Sequence, residues 1–257
     1  MREGLDVLRS VAWRTWVVTL RRPVVLTFSL GQPLLWMLFF GFLFQRFPLA
    51  DLPPGLSYLD FLAPGVSVMT VLFGASQSGI GWVRDLQTGF LPRLLRTPAS
   101  PAAILAGKLL ADVARLLLQA LAVLVLALLL GARLRLAPGA AALGLVCIAL
   151  FGLAFASLSC ALALRARAQE AMATFVHLVN LPLLFTSTAL VPRRQMPGWL
   201  AALSRINPLT LTADAWRGAL LLGESPSWQR ALLPLAALAA LLFALALSQI
   251  RRAAQER

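Results

Sequence analysis

Residues 109–131 read LLADVARLLLQALAVLVLALLLG, an apolar run interrupted only by Asp112, Arg115 and Gln119. About 20 helical residues, rising 1.5 Å each, cross the roughly 30 Å hydrocarbon core of a bilayer. Asp112 and Arg115 are three residues apart on one helix face, so a local ion pair near one end of the span accounts for both, with a transport role as the alternative. The same rule, carried outward, finds five further runs: 24–45, 61–82, 138–164, 171–191 and 230–250. Pro33, Pro182 and Pro234 fall inside runs, where neighbouring helices re-satisfy the freed carbonyls and kinks follow. The whole chain agrees with this reading. Of 257 residues 60% are hydrophobic and 13% charged, against about a quarter charged in soluble domains, and so few charges do not coat a water-facing globule. The sequence therefore predicts an all-α integral membrane protein, one transmembrane domain over 1–257 with six spans.

The charge balance, 23 Lys and Arg against 10 Asp and Glu for a net +13, would suggest nucleic acid in a soluble chain. Here the placement of the charges carries the information. Arg2, Arg9, Arg14, Arg21, Arg22, Arg84, Arg93, Arg96, Lys108, Arg165, Arg167, Arg251, Arg252 and Arg257 flank the spans on one side. The opposite side holds fewer: Arg46, Arg133, Arg135, Arg193, Arg194, Arg205, Arg217 and Arg230. By the positive-inside rule both termini are expected in the cytoplasm, in a multi-pass cell-membrane protein whose surroundings are lipid and not nucleic acid. No cleavable signal is expected, because arginines are spread through the first 22 residues and the first apolar run is long. The arm 1–23 reads as an interfacial helix with Leu5, Leu8, Ala12 and Trp16 on one side and Asp6, Arg9, Arg14 and Arg21 on the other.

Groups for covalent chemistry are scarce. Cys147 and Cys160 share one apolar run and read as packing residues, and His177 is the only histidine, so no catalytic constellation and no metal site can be assembled. Gly107-Lys108 has the look of a phosphate loop, but the upstream glycine and the following Ser or Thr are missing. No cofactor is expected on this chain, and ATP with Mg would have to act through a partner subunit. The polar residues that remain at depth are Gln77 and Ser78 in the second run and Thr174, His177, Asn180 and Thr186 in the fifth. They read either as interhelical hydrogen bonds or as the lining of a substrate path.

The loop 83–108 is too organised for a linker. Leu91, Leu94 and Leu95 fit one helical face between Gly89 and Pro98, with Arg93 and Arg96 turned away and Thr97 and Ser100 placed to cap the next helix. The order Asp85, Gly89-Phe90, Arg93-Leu94-Leu95, Thr97-Pro98-Ala99-Ser100, Gly107-Lys108 and Asp112 resembles the cytoplasmic signature of ABC-2 type permeases, in particular exporters like the daunorubicin permeases. A second block, Ile206-Asn207-Pro208-Leu209-Thr210 followed by Asp214-Ala215-Trp216-Arg217-Gly218-Ala219-Leu220 and Gly223, resembles the segment before the family's last span.

The resemblance implies a homodimeric or pseudodimeric permease whose loop carries a coupling helix docked on an ABC ATP-binding subunit. Asp85, Gly89, Phe90, Arg93, Leu94, Thr97 and Pro98 would form that contact, and Arg165, Arg167 and Glu170 a smaller one. Pro92 departs from the family, where an acidic residue is common. Residues 192–223 read as short helices lying on or dipping into the outer leaflet, with Asn207 as a cap and Pro208 at the first helical position. The resemblance makes these re-entrant helices part of an external gate, with Asn207, Pro208 and Arg217 as its residues. The expected function is the membrane subunit of an ATP-driven exporter of amphipathic substrates, not itself an enzyme. The alternatives are an ATP-independent carrier or channel and, weakest, a lipid-modifying enzyme.

Overall fold

The computed structural model describes residues 2–20, 23–44, 55–135, 137–222 and 227–255. Gln45, at the end of the first expected span, lies outside them, with Arg21, Arg22, Arg46, Asp51, Gly223, Glu224, Glu256, Arg257 and the Leu5 side chain. All regular elements among the described residues are helical: α1 (Arg2–Leu20), α2 (Pro23–Leu43), α3 (Tyr58–Gln87), α4 (Phe90–Leu94), α5 (Pro101–Leu129), α6 (Pro138–Ala166), α7 (Gln169–Phe185), α8 (Gly198–Ile206), α9 (Pro208–Arg217) and α10 (Ser227–Gln255), with a 3-10 turn at Arg193–Gln195 and a π-helical stretch at Gly218–Leu222. Four of them, α3, α5, α6 and α10, are long and apolar enough to cross a membrane. The α2 helix has 21 residues and α7 has 17.

Local chemistry sets the helix starts. Ser57 and Asp60 form a capping box at α3: the Asp60 N–H donates to Ser57 Oγ at 3.3 Å, and the Ser57 N–H donates to Asp60 Oδ2 at 2.5 Å. Asp60 also accepts the Arg133 N–H, which ties the far end of α5 to the start of α3. Ser100 caps α5, with Pro101 in its first turn, and Pro138 opens α6 in the same way. The α7 helix ends at Phe185, six residues before the expected 191. There Thr186 and Ser187 turn their hydroxyls back onto the carbonyls of Pro182 and Leu184, and residues 186–190 continue as turns.

The α3 helix is the axis of the molecule. Its apolar stretch is 89% buried, whereas that of α10 is 22% buried, so α3 touches protein on nearly all sides while most of α10 is left to the surroundings. Around α3 pack α2, α5, α6, α7 and α9; α10 lies along α6 and α1 along α5. Small residues let these backbones approach closely. At Gly65 an added Cβ would overlap the Ala189 carbonyl, and at Gly79 it would meet Ser159 Oγ and the Met172 methyl.

The arm is helical, but its buried face differs from the expected one. Val11 is buried, Val7 packs on the core, and Arg14 turns inward instead of sharing the exposed side with Asp6 and Arg9. Positions 7, 11 and 14 lie on one helical face, and the charge of Arg14 is met there by a carboxylate, which makes an inward arginine affordable.

Gly65→Ala is expected to lower the detergent-solubilised melting temperature by the equivalent of about 1–3 kcal/mol or more, because backbone cannot yield to the new methyl. Gly139→Ala, whose Cβ would meet nothing within 4 Å, should leave it unchanged in the same melt.

Candidate functional site

At one end of the bundle the loop between α3 and α5 is built around Asp85. Its Oδ2 accepts from Lys108 Nζ at 2.5 Å and its Oδ1 from Arg14 Nη2 at 3.5 Å, so one carboxylate joins α1, α3 and α5. Both cations are also stacked: the Arg14 guanidinium lies 3.4 Å from the Phe90 ring centroid and Lys108 Nζ lies 4.1 Å from that of Trp82. Gly89 takes φ 73°, a left-handed conformation that glycine adopts without strain, and turns the chain into α4. Pro92 is the third residue of α4, where its missing N–H is one that no helical carbonyl would have met, so the proline leaves the short helix intact.

Leu91 is buried beneath the loop and Leu94 and Leu95 are half-buried, while Arg93, Arg96, Thr97 and Pro98 are exposed. Ser100 caps α5 as expected, but Thr97 does not: its hydroxyl donates to the Leu94 carbonyl at 2.7 Å and closes the turn after α4. Gln169 Nε2 donates to Gln87 Oε1 at 3.0 Å, which fastens the α6–α7 connection to the same end. Arg165, Arg167 and Glu170 are exposed beside it.

From this end a polar seam runs into the bundle between α3 and α5. On α3 it uses Asp85, Trp82, Ser78 and Gly74; on α5 it uses Lys108, Asp112, Arg115 and Gln119. Both sets are spaced by three or four residues, one stripe on each helix. Arg115 Nη2 donates to the Gly74 carbonyl and to Ser78 Oγ, each at 3.1 Å; its Nη1 donates to Gln119 Oε1 at 3.2 Å, and Asp112 lies 3.8 Å away. The antiparallel helices thus pair 85 with 108, 78 with 115 and 74 with 115. The local Asp112–Arg115 pair read from the sequence is one rung of this seam. Trp82 Nε1 and Asp112 Oδ2 are buried in it without a hydrogen-bond partner.

Of the six residues expected along a substrate path, the structure spends Ser78 in the seam. Asn180 is buried and accepts from Ser76 Oγ at 2.9 Å, a hydrogen bond between α3 and α7. Thr174 and His177 are exposed on one face of α7 together with Leu178, Leu181 and Phe185. Gln77 is exposed on α3 although its neighbours on both sides are buried. Thr186 sits at the other end, where its hydroxyl accepts from Asn207 Nδ2 at 2.9 Å.

That opposite end is a second ion cluster. Asn207 caps α9, accepting from the Leu209 N–H at 2.8 Å, and Pro208 follows in the first turn. Arg217 is buried: Nε donates to the Phe61 carbonyl at 3.1 Å, Nη2 to the Thr188 carbonyl at 3.1 Å and Nη1 to Asp214 Oδ1 at 3.0 Å, with the guanidinium 3.7 Å from the Phe61 ring centroid. Asp214 also accepts from Thr188 Oγ1 at 2.8 Å and Arg193 Nη2 at 3.1 Å. Burial pushes the Arg217 pKa down to about 10, and Asp214 opposes that shift, so the side chain remains charged at neutral pH. The sequence reading counts Arg14 and Arg193 among the flanking charges and has Asp214 in the second block, but it places none of them in a site and gives Thr188 no role. The i, i+3 spacing of Asp214 and Arg217 was a visible signal, while Arg193 reaches Asp214 only through the turns of 186–197.

The sequence profile of the ABC-2 type transporter family matches residues 6–221. A putative transport permease ycf38 from Cyanophora paradoxa is 34% identical over 207 residues, covering 79% of this chain and 70% of its own length. The corresponding ycf38 protein from Pyropia yezoensis is 32% identical over 214 residues, 83% of this chain and 73% of its own. A daunorubicin resistance ABC transporter permease protein, DrrB1 from Streptomyces coeruleorubidus, is 33% identical over 209 residues, 80% of this chain and 71% of its own.

Asp85→Asn should strand the buried Lys108 charge and cost about 3–5 kcal/mol, read as a large fall in melting temperature. In the double variant Asp85→Leu with Lys108→Leu most of that loss should return, since paired apolar replacements of a buried ion pair are tolerated.

Proposed function

The chain belongs to the ABC-2 type transporter family, and from that premise we propose that it is a permease subunit driven by ATP hydrolysed on a separate ATP-binding chain, and that it moves amphipathic compounds outward. It is a multi-pass membrane protein and a transport subunit rather than an enzyme. In the proposed topology α2, α3, α5, α6, α7 and α10 are the six spans, the Asp85 end with both termini is cytoplasmic, and α8 and α9 are re-entrant on the outer side.

The observation that carries the reading is the anchored loop. A surface that receives force from a partner must be rigid beneath and open above. Asp85, Leu91 and Phe90 fasten the loop from below, while Arg93, Arg96, Thr97 and Pro98 are presented outward. Closure of the ATP-binding subunits pushes on that face, and the α3–α5 seam conveys the displacement into the bundle, because two helices bonded at three levels tilt together. ATP hydrolysis supplies the work and this chain supplies the lever.

The exposed α7 face, with Thr174 and His177 among Leu178, Leu181 and Phe185, suits contact with a second permease chain across an apolar path that has few hydrogen-bonding groups. Gln77 on α3 adds one more such group. The name of DrrB1 as a daunorubicin resistance permease supports an amphipathic, drug-like substrate.

The test is co-purification with an ATP-binding subunit that carries a GxxxxGK(S/T) phosphate loop, and stimulation of that subunit's ATPase by a panel of amphipathic compounds. Arg93→Glu with Arg96→Glu, both exposed, should weaken association at least about tenfold by reversing rim charges while the melting temperature holds. Unchanged association, or transport by the isolated chain without ATP, would reject the reading in favour of a carrier or channel.

A further inference from the structure

The α1 helix crosses α5 at Leu8 and Gly107. The approach is so close that a Cβ on Gly107 would stand 2.6 Å from the Leu8 carbonyl oxygen. Helices that cross in contact diverge on either side of the crossing point, and here they leave a wedge beside it. The wedge is a groove of about 720 Å³ between Leu8, Arg9, Ala12, Trp13 and Trp16 of α1 and Leu110, Ala111 and Ala114 of α5, within the roughly 300–1,000 Å³ of small-molecule pockets. Ala111 and Ala114, one turn apart, make a shallow floor.

Two features say what fits it. The lining is apolar with aromatic walls, and Trp13 is 68% exposed although it is among the largest hydrophobic side chains in the protein; tryptophan favours the boundary between headgroups and acyl chains. The rim carries Arg9, exposed and without an ion pair among the described residues, whereas the nearby Arg14 and Lys108 are both ion-paired with Asp85. An apolar slot under one unpaired cation is complementary to an amphipath with an anionic head and an apolar chain, and for a membrane protein the abundant molecule of that kind is an anionic phospholipid.

We infer that the α1–α5 groove is a binding site for an anionic phospholipid, its acyl chain lying over Ala111 and Ala114 between Trp13 and Leu110 and its phosphate on Arg9. The lipid would then brace α1 against α5 beside the Arg14–Asp85–Lys108 cluster. The site does not depend on the transport reading, and its test needs no partner subunit.

The full chain is reconstituted in nanodiscs that contain either brominated phosphatidylglycerol or brominated phosphatidylcholine at graded mole fractions. The quenching due to Trp13 is isolated by difference from Trp13→Phe. Trp13 should be quenched at about fivefold lower mole fraction by phosphatidylglycerol, the preference that one basic side chain confers near an anionic headgroup. Arg9→Gln should abolish the preference and Arg9→Lys should keep it. Ala111→Phe, which fills the floor, should weaken quenching by both lipids; circular dichroism checks that each variant remains helical. Equal quenching by the two lipids in the wild-type chain would mean ordinary boundary lipid and would overturn the site. So would a preference that survives Arg9→Gln. Loss of ATPase association with the lipid preference intact would count against the transport reading alone.

Discussion

Two cations, Lys108 and Arg115, lie between the central helix α3 and its neighbour α5, the first buried and the second half-buried. Lys108 is held by Asp85 and the Trp82 ring, and Arg115 by Gly74, Ser78, Gln119 and Asp112. A buried charge is tolerated only when its partner is placed and its remaining donors are met. The register of α3 against α5 is therefore set by polar pairing, and apolar packing around it follows that register. A slip by one residue along either helix would take Lys108 away from Asp85 and Arg115 away from Ser78 together.

The two ends of the bundle obey one rule. In each, a single aspartate bridges two cations from different elements: Asp85 joins Arg14 to Lys108, and Asp214 joins Arg193 to Arg217. In each, cations are also capped by aromatic rings, Phe90 and Trp82 at one end and Phe61 at the other. With only ten acids in the chain, spending two of them this way makes both ends stiff and leaves the intervening surfaces apolar. The exposed α7 face and the exposed Gln77 lie between those ends.

Much of this was legible from residue order. The long apolar runs marked α3, α5, α6 and α10, because nothing in water covers so many uninterrupted apolar residues. The caps Ser100 and Asn207 were legible since they act within three residues, and so was the pair Asp112–Arg115. The loop signature from Asp85 to Ser100 was recognisable as a block. The roles of its members were not: Asp85 and Phe90 face inward on Arg14, and Thr97 closes a turn in place of capping α5. Likewise the polar stripe on α7 was visible, but its division was hidden, with Asn180 turned in toward Ser76 and His177 turned out.

By itself the sequence determined that the chain is helical, that it lies in a membrane and that its chemistry is sparse, since these follow from composition and from interactions within one or two helical turns. Only the tertiary structure decided which charges meet. Arg14 finds Asp85 across 71 residues and Arg193 finds Asp214 across 21, and such pairings depend on which helices cross at which turn. Crossing geometry is set by small residues such as Gly65, Gly79 and Gly107 and by the neighbours they admit. A glycine in the sequence announces that something comes close, but only the fold says what.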